Sequence, residues 1–318
     1  MFKLRNITIL FIITLLVSCQ TRSNDKYSDT YTSGKIKVAI DNNFKSIMTE
    51  ELAVFKSQFP QTEIVPVYSN ELGAIDQMMK DSARVVIATR PLSKKELDYL
   101  KESKQFYPKS YKLAIDGIAV IANKSNPDTL LSIVDLRRIL TGKAKKWKDV
   151  YPSSRLGNLK VVFDDPSSST VRYAIDSICF GAGISKDLNA QHSNEEVINY
   201  VSKTPNAIGI IGVNWLNNAK DTTRLSFISS VRVMSLTNEQ VATPENSYKP
   251  YQAYLLDESY PLTRTIYVIV NDPRGSLPTT VSTFLTGDRG QRIILKAGLV
   301  PATQPVRIVE IKDESVSE

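Results

Sequence analysis

The chain of 318 residues is poor in the side chains that do covalent and metal chemistry. It has 2 cysteines and 1 histidine. Two cysteines cannot staple a disulfide scaffold, and one imidazole supplies neither a histidine metal cluster nor a choice of catalytic bases. The sequence also lacks a Gly-x-Ser-x-Gly elbow, a phosphate-binding P-loop and a Gly-x-Gly-x-x-Gly turn. No internal repeat is present, and the lone His192 stands in the polar stretch NAQHSNEE, where a solvated loop residue is expected rather than a base. These absences argue against an enzyme. The basic residues are dispersed instead of interleaved with aromatics, so nucleic acid is not the expected partner either.

What is present is an ordinary globular composition, 42% hydrophobic and 23% charged, with a net charge of +7. Such a chain buries a sizeable core in one large domain or two lobes. The basic total by itself fits nucleic acid, an anionic surface or an anionic ligand equally well.

Residues 1–18 carry Lys3 and Arg5 before the apolar run Ile7 to Val17, too short to span a bilayer and of the length of a signal peptide core. The run ends in Leu16-Val17-Ser18-Cys19, which resembles the lipobox of bacterial lipoproteins. That resemblance implies cleavage before Cys19 and lipidation of its thiol, placing the protein in the cell envelope on a membrane anchor. Residues 19–35 are polar and expected to be a flexible tether, with the folded body starting near Ile36. Cys179 falls on the apolar side of a predicted helix and reads as a buried thiol.

Along the body, strands alternate with helices. Strands are expected at 36–40, 63–68, 84–88, 115–122, 159–163, 207–213 and 265–270, and helices after the DNN turn and over 72–80, 94–102, 130–140, 171–180 and 281–295. Ser93-x-x-Glu96 has the form of a capping box. The alternation predicts an α/β fold with a mainly parallel sheet.

Two local stretches suit an anion. Asp164-Asp165-Pro166-Ser167-Ser168-Ser169-Thr170 joins a strand to a helix whose apolar face is Val171, Ala174, Ile175, Ile178 and Cys179. Hydroxyls and free N–H groups at a helix start face the positive end of its dipole, and Arg172 adds a guanidinium fork one turn in. The same residues would equally make a plain N-cap. The second stretch is Ala88-Thr89-Arg90-Pro91-Leu92 at a strand's carboxyl end, where ligands gather in open α/β sheets. Arg90 either meets an anion there or pairs with Glu96.

With these residues in view, the chain resembles the phosphate-binding proteins of bacterial ABC uptake systems. The resemblance runs from about Ile36 to Thr303, through IATRPLSKKEL, AIDGIAVIANKSNPDTLLSIVDLRRILTGKAKKW, AIGIIGVNW, YPLTRTIYVIVNDPRG and FLTGDRGQRIILKAGLVP. It implies a two-lobe periplasmic-binding-protein type II fold with mixed, mainly parallel sheets flanked by helices and two hinge crossovers. Lobe 1 would comprise 36–113 plus 258–311, lobe 2 would comprise 114–257, and 312–318 would form a polar tail. Carried over by position, the family's anion loop falls on Ser168, Ser169 and Thr170, with Ser169 in place of glycine. Its pair after the third strand falls on Thr89 and Arg90, its first loop on Asp41, Asn42, Asn43 and Phe44, and its second on Tyr68, Ser69, Asn70 and Glu71. Asp41 and Glu71 stand where the family offers small donors, and Asp164 where it has arginine.

The expectation is therefore a lipid-anchored, monomeric solute-binding protein without cofactor or metal. It would capture phosphate or a similar oxyanion and deliver it to permease subunits at the inner membrane. The alternative is an envelope lipoprotein that keeps the fold as a sensor or interaction module, for which Asp41 and Glu71 speak. Lys143, Lys145, Lys146 and Lys148 form the densest basic run and read as a lobe-surface or permease-docking feature.

Overall fold

The computed structural model describes residues 28–105, 107–218, 221 and 226–305. The expected signal peptide, Cys19, the tether as far as residue 27 and the tail 312–318 lie outside the described residues. Among the described residues no helix is long and apolar enough to cross a membrane.

The first half opens with β1 (Gly34–Asp41), a 3₁₀ turn over Asn42–Phe44 and α1 (Lys45–Gln58), followed by β2 (Thr62–Ser69) and α2 (Glu71–Met79). It continues with β3 (Val85–Ala88), α3 (Lys94–Lys104) and β4 (Lys109–Ala122). The middle of the chain contributes β5 (Leu130–Ser132), α4 (Ile133–Leu140), β6 (Lys160–Phe163) and α5 (Ser169–Tyr173), which runs on as a π turn over Ala174–Ile178. Next come β7 (Asn189–Ala190), α6 (Asn194–Lys203), β8 (Ala207–Gly212), β9 (Arg232–Val233), β10 (Ser235–Thr237) and α7 (Gln252–Leu256). The last elements are β11 (Thr263–Val270), α8 (Leu277–Thr286), α9 (Asp288–Lys296) and β12 (Val300–Pro301).

The main sheet runs β2-β1-β3-β11-β4-β8-β6-β7, with β9 and β12 also on β4. Its wings are parallel, β2 and β3 flanking β1 and β7 and β8 flanking β6, whereas β11 and β4 make the middle antiparallel. β4 is the shared element. Residues Lys109 to Gly117 pair with β11, and residues Ile118 to Ala122 pair with β8. The cores follow the same division. Ala114 and Ile266 pack with Val38, Ile40, Phe55 and Phe284, while Ile118 and Leu262 pack with Trp147, Phe163, Ile208 and Tyr260. Two half-sheets, each covered by its own helices, therefore meet along β4.

Four local differences from the sequence reading have physical causes. The segment expected as helix 130–140 starts as strand β5 because it pairs in parallel with β10, a distant partner, before Ser132 caps α4 by accepting from Asp135 N at 3.0 Å. Helix 171–180 starts earlier, at Ser169, and loosens into the π turn. Helix 281–295 is two helices that part at Gly287. The folded body begins before Ile36: Asp29 is buried, ion-paired with Arg84 and Arg274, and accepts from Leu277 N at 3.2 Å. A polar composition concealed that anchor because its partners lie far along the chain. Cys179 is buried, as its helical face implied.

Candidate functional site

The carboxyl ends of β1, β2 and β3 lead into the 3₁₀ turn, into Asn70 at the start of α2 and into Thr89. From the other half-sheet, the end of β6 leads into Ser168-Ser169-Thr170, the end of β8 into Asn214-Trp215, and α6 begins at Asn194. These ends face one another, the usual place for a ligand in an α/β fold.

Asn43 is the centre of the contact. It is fully buried, and its Nδ2 donates to Ser169 Oγ at 3.0 Å. Its Oδ1 accepts from Thr170 Oγ1 at 3.3 Å and Asn194 Nδ2 at 3.2 Å, and its backbone carbonyl from Asn214 Nδ2 at 2.9 Å and Trp215 Nε1 at 2.8 Å. Ser169 fits without strain because it is helical, not left-handed, so glycine is not required there. Its hydroxyl also accepts from Arg264 Nη1 at 3.0 Å. Arg264 is buried over the Phe44 ring and donates from Nε to Asp116 Oδ2 at 2.9 Å. Its Nη2 lies 2.9 Å from the same oxygen but off the line of a hydrogen bond.

A second bridge joins the halves beside it. Arg172 Nε donates to Glu71 Oε2 at 2.6 Å and Nη2 to Thr89 Oγ1 at 2.7 Å, while Thr89 donates from N and Oγ1 to Glu71 Oε1 at 2.7 and 2.6 Å. Burial alone would raise the Glu71 carboxyl, but the Arg172 charge and the Thr89 donors outweigh it and hold it below its usual range.

Carboxylates dominate the remainder. Burial pushes Asp41 up to about 6, with the Arg264 charge opposing. Burial likewise raises Asp116 against Arg264, and Asp164 against the Ser168 hydroxyl, which donates to it at 2.7 Å. Five of the buried side-chain atoms left without a hydrogen-bond partner belong here: the acceptors Asp41 Oδ2, Asp116 Oδ1, Asn194 Oδ1 and Asn214 Oδ1, and the donor Arg264 Nη2.

Of the residues singled out in the sequence, Asn43, Phe44, Thr89, Ser169, Thr170 and Arg172 are brought together in this cluster. Ser168 caps α5, accepting from Val171 N at 3.2 Å, and Asn70 caps α2, accepting from Gly73 N at 2.9 Å. Asn42 is exposed and, with Asn70 and Ser168, lines a neighbouring cavity. Ser69 is half-buried and donates to the Asn70 carbonyl at 3.1 Å. Arg90 points elsewhere: it forks onto Glu96 at 2.8 and 2.9 Å, beside the Ser93 capping box. Arg264, Asp116, Asn194, Asn214 and Trp215 were not singled out. Four of them sit inside the stretches YPLTR, AIDG and VNW that carry the family resemblance, the signal that was available; Asn194 carried none.

Two half-sheets that meet through a buried polar site at their strand ends define a two-part α/β binding-protein fold. The sequence profile of the PBP superfamily domain matches residues 25–289, and the chain belongs to that superfamily. It is 26% identical over 203 residues to the phosphate-binding protein PstS of Staphylococcus saprophyticus, covering 64% of this chain and 59% of that protein. To PstS of a Staphylococcus aureus strain it is 29% identical over 188 residues, 58% of this chain and 52% of that one. The aligned region thus spans under two-thirds of either relative. Among solved structures, a Clostridium perfringens substrate-binding protein with bound phosphate superposes with a TM-score of 0.70 at 20% identity, over 85% of this chain and all of that one. At that identity the likeness establishes the fold.

Proposed function

We propose that the protein is an extracytoplasmic solute-binding protein that captures phosphate or a similar oxyanion between its two half-sheets, acting as lobes, for an ABC importer. The lobes would divide near the expected boundaries, 36–113 with 258–311 against 114–257. Anchoring through a lipid on Cys19 belongs to the same reading, as do permease subunits as partners and a monomeric state. The observation that carries it is the convergence of the Ser168-Ser169-Thr170 helix start with Arg264 and Asn43 in a buried site, in a fold whose relatives bear phosphate-binding names. Binding of this kind needs no covalent step. Donors fixed in a dry site hold the anion, and closure of the halves removes water.

Isothermal titration with phosphate, sulfate and molybdate tests the reading. Phosphate should bind, and Ser169→Ala and Thr170→Val should each weaken it about tenfold, the equivalent of about 1.4 kcal/mol. Unchanged affinity in both variants would reject this site.

One observation favours a second reading. The carboxamide of Asn43 already satisfies Ser169 and Thr170 from the opposite half, and Arg172 is spent on Glu71. A sensor or interaction module of the envelope would use such a self-closed site. Silence in all three titrations at millimolar concentration would favour it over transport.

A further inference from the structure

Asn43 belongs to the half of the molecule built on β1, yet both of its oxygens are met by donors of the other half. Thr170 Oγ1 and Asn194 Nδ2 converge on its Oδ1 at 3.3 and 3.2 Å, and Asn214 Nδ2 and Trp215 Nε1 converge on its backbone carbonyl at 2.9 and 2.8 Å. Paired donors aimed at single oxygens, beside a buried guanidinium, are how a protein meets an oxyanion. Here the oxygens belong to the chain itself. The same carboxamide takes Ser169 Oγ through Nδ2 at 3.0 Å, so one neutral side chain engages both hydroxyls of the Ser169-Thr170 pair.

The charge of the site is not answered by that amide. Arg264 Nε donates to Asp116 and Nη1 to Ser169, while Nη2, on a side chain 3% exposed, has no hydrogen-bond partner. Asp41, Asp116 and Asp164 are the carboxyl groups that feel this guanidinium, and burial raises all three, so they oppose its charge incompletely. An uncharged carboxamide therefore closes a site whose buried cation still has a donor to give.

We infer that the Asn43 carboxamide is an internal surrogate for the ligand, which closes the halves on each other and competes with an oxyanion for Ser169, Thr170 and Asn194. This rests on the oxyanion reading above and adds what sets its affinity. Binding requires the carboxamide to leave, so the side chain at position 43 fixes the concentration at which the protein responds. Alanine there removes the carboxamide alone. The backbone carbonyl keeps Asn214 and Trp215, and the backbone N–H keeps Asp41 Oδ1 at 3.1 Å, so the turn and part of the bridge survive while Thr170 and Asn194 are released. A side chain that only contacted the ligand would act with the opposite sign, since its loss would weaken binding.

Isothermal titration of the mature chain with inorganic phosphate reads that sign. Asn43→Ala and Asn43→Ser, both too short to reach Thr170, should each bind phosphate about tenfold more tightly than wild type, because the anion no longer has to displace the carboxamide. Binding by the variants with silence from wild type is the same result in stronger form. A folded variant with unchanged or weaker affinity than wild type overturns the inference and leaves the oxyanion reading standing. Silence from wild type and both variants at millimolar phosphate removes the two together. Small-angle X-ray scattering of wild type is a check that no failure of a variant to fold can spoil. Without phosphate its radius of gyration should already be that of the closed structure and should stay there when phosphate is added. A larger value that contracts on addition would show the halves apart without ligand, and would overturn the surrogate role of Asn43.

Discussion

At the scale of single residues, Glu51 is the most exposed to test. It stands in the row Ile47, Met48, Glu51 and Phe55 that α1 turns inward, with both carboxylate oxygens shut from water and unpartnered. Burial, helped by the neighbouring Glu50 charge, pushes its carboxyl from 4.5 to about 9, so the folded protein carries it as a neutral acid at pH 7. An unfolded chain gives that proton up near 4.5. The contribution of Glu51 to stability is therefore full below about 4.5, and is lost progressively as pH rises to about 9. Glu51→Leu should stabilise the protein at pH 8 by about 1–4 kcal/mol and flatten the pH dependence between 5 and 9. Urea midpoints measured at pH 5 and pH 8 check this, and a variant no more stable than wild type at pH 8 contradicts it. Glu51 was not legible in the sequence: a charged residue at that helical position reads as solvated until the packing of α1 is known. Ser168 to Thr170 were legible because cap chemistry is local. Arg90 shows the limit of the same locality. The position at a strand end suggested a ligand, but Glu96, six residues on, was close enough to take the guanidinium.

Among the elements, seven strands were legible because buried apolar runs such as Val85–Ala88 and Ala207–Gly212 announce themselves, whereas the short strands β5, β7, β9, β10 and β12 and the pairing of all of them did not. Nothing in Leu130–Ser132 names Ser235–Thr237 as its partner, so the segment read as the start of a helix. The break between α8 and α9 has a similar origin. The apolar period continues across Gly287, but the two helices pack so closely that a Cβ on Gly290 would stand 2.6 Å from Phe284 O and 2.8 Å from Leu285 Cα. Helix propensity alone favours alanine over glycine in α9 by about 1 kcal/mol. The atoms in the way are backbone, which cannot swing aside, so the clash wins. Gly290→Ala should destabilise by about 1–3 kcal/mol and lower Tm. A Tm unchanged or raised in differential scanning calorimetry would show that α8 and α9 separate at little cost.

For the whole molecule, the question is what holds the halves together. The Asn43 contacts are neutral hydrogen bonds, each contributing about 0.5–1.5 kcal/mol net. The Glu71–Arg172 pair is of another order, because Glu71 is 1% exposed and would be left as a buried charge if Arg172 were removed. Breaking a fully buried pair in this way costs about 3–5 kcal/mol, and the 30% exposure of Arg172 reduces that to about 1–3 kcal/mol. That is enough to shift the ratio of closed to open molecules by about 5–150-fold. Separation of the halves would also return Glu71 to water, so the penalty is relieved by opening. Arg172→Met, which keeps the apolar stem and removes the fork, should therefore open the molecule in the absence of ligand. Small-angle X-ray scattering should report a larger radius of gyration for the variant than for wild type. Acid should act in the same direction. The Glu71 carboxyl lies below its usual 4.5 when the halves are joined, so the pair's contribution is present above about 4.5 and is lost as pH falls through the depressed value. Wild type should accordingly expand at the acid end of its folded range while Arg172→Met changes little there. Identical scattering from the two proteins at neutral pH would mean that Asn43 and its partners alone keep the halves closed.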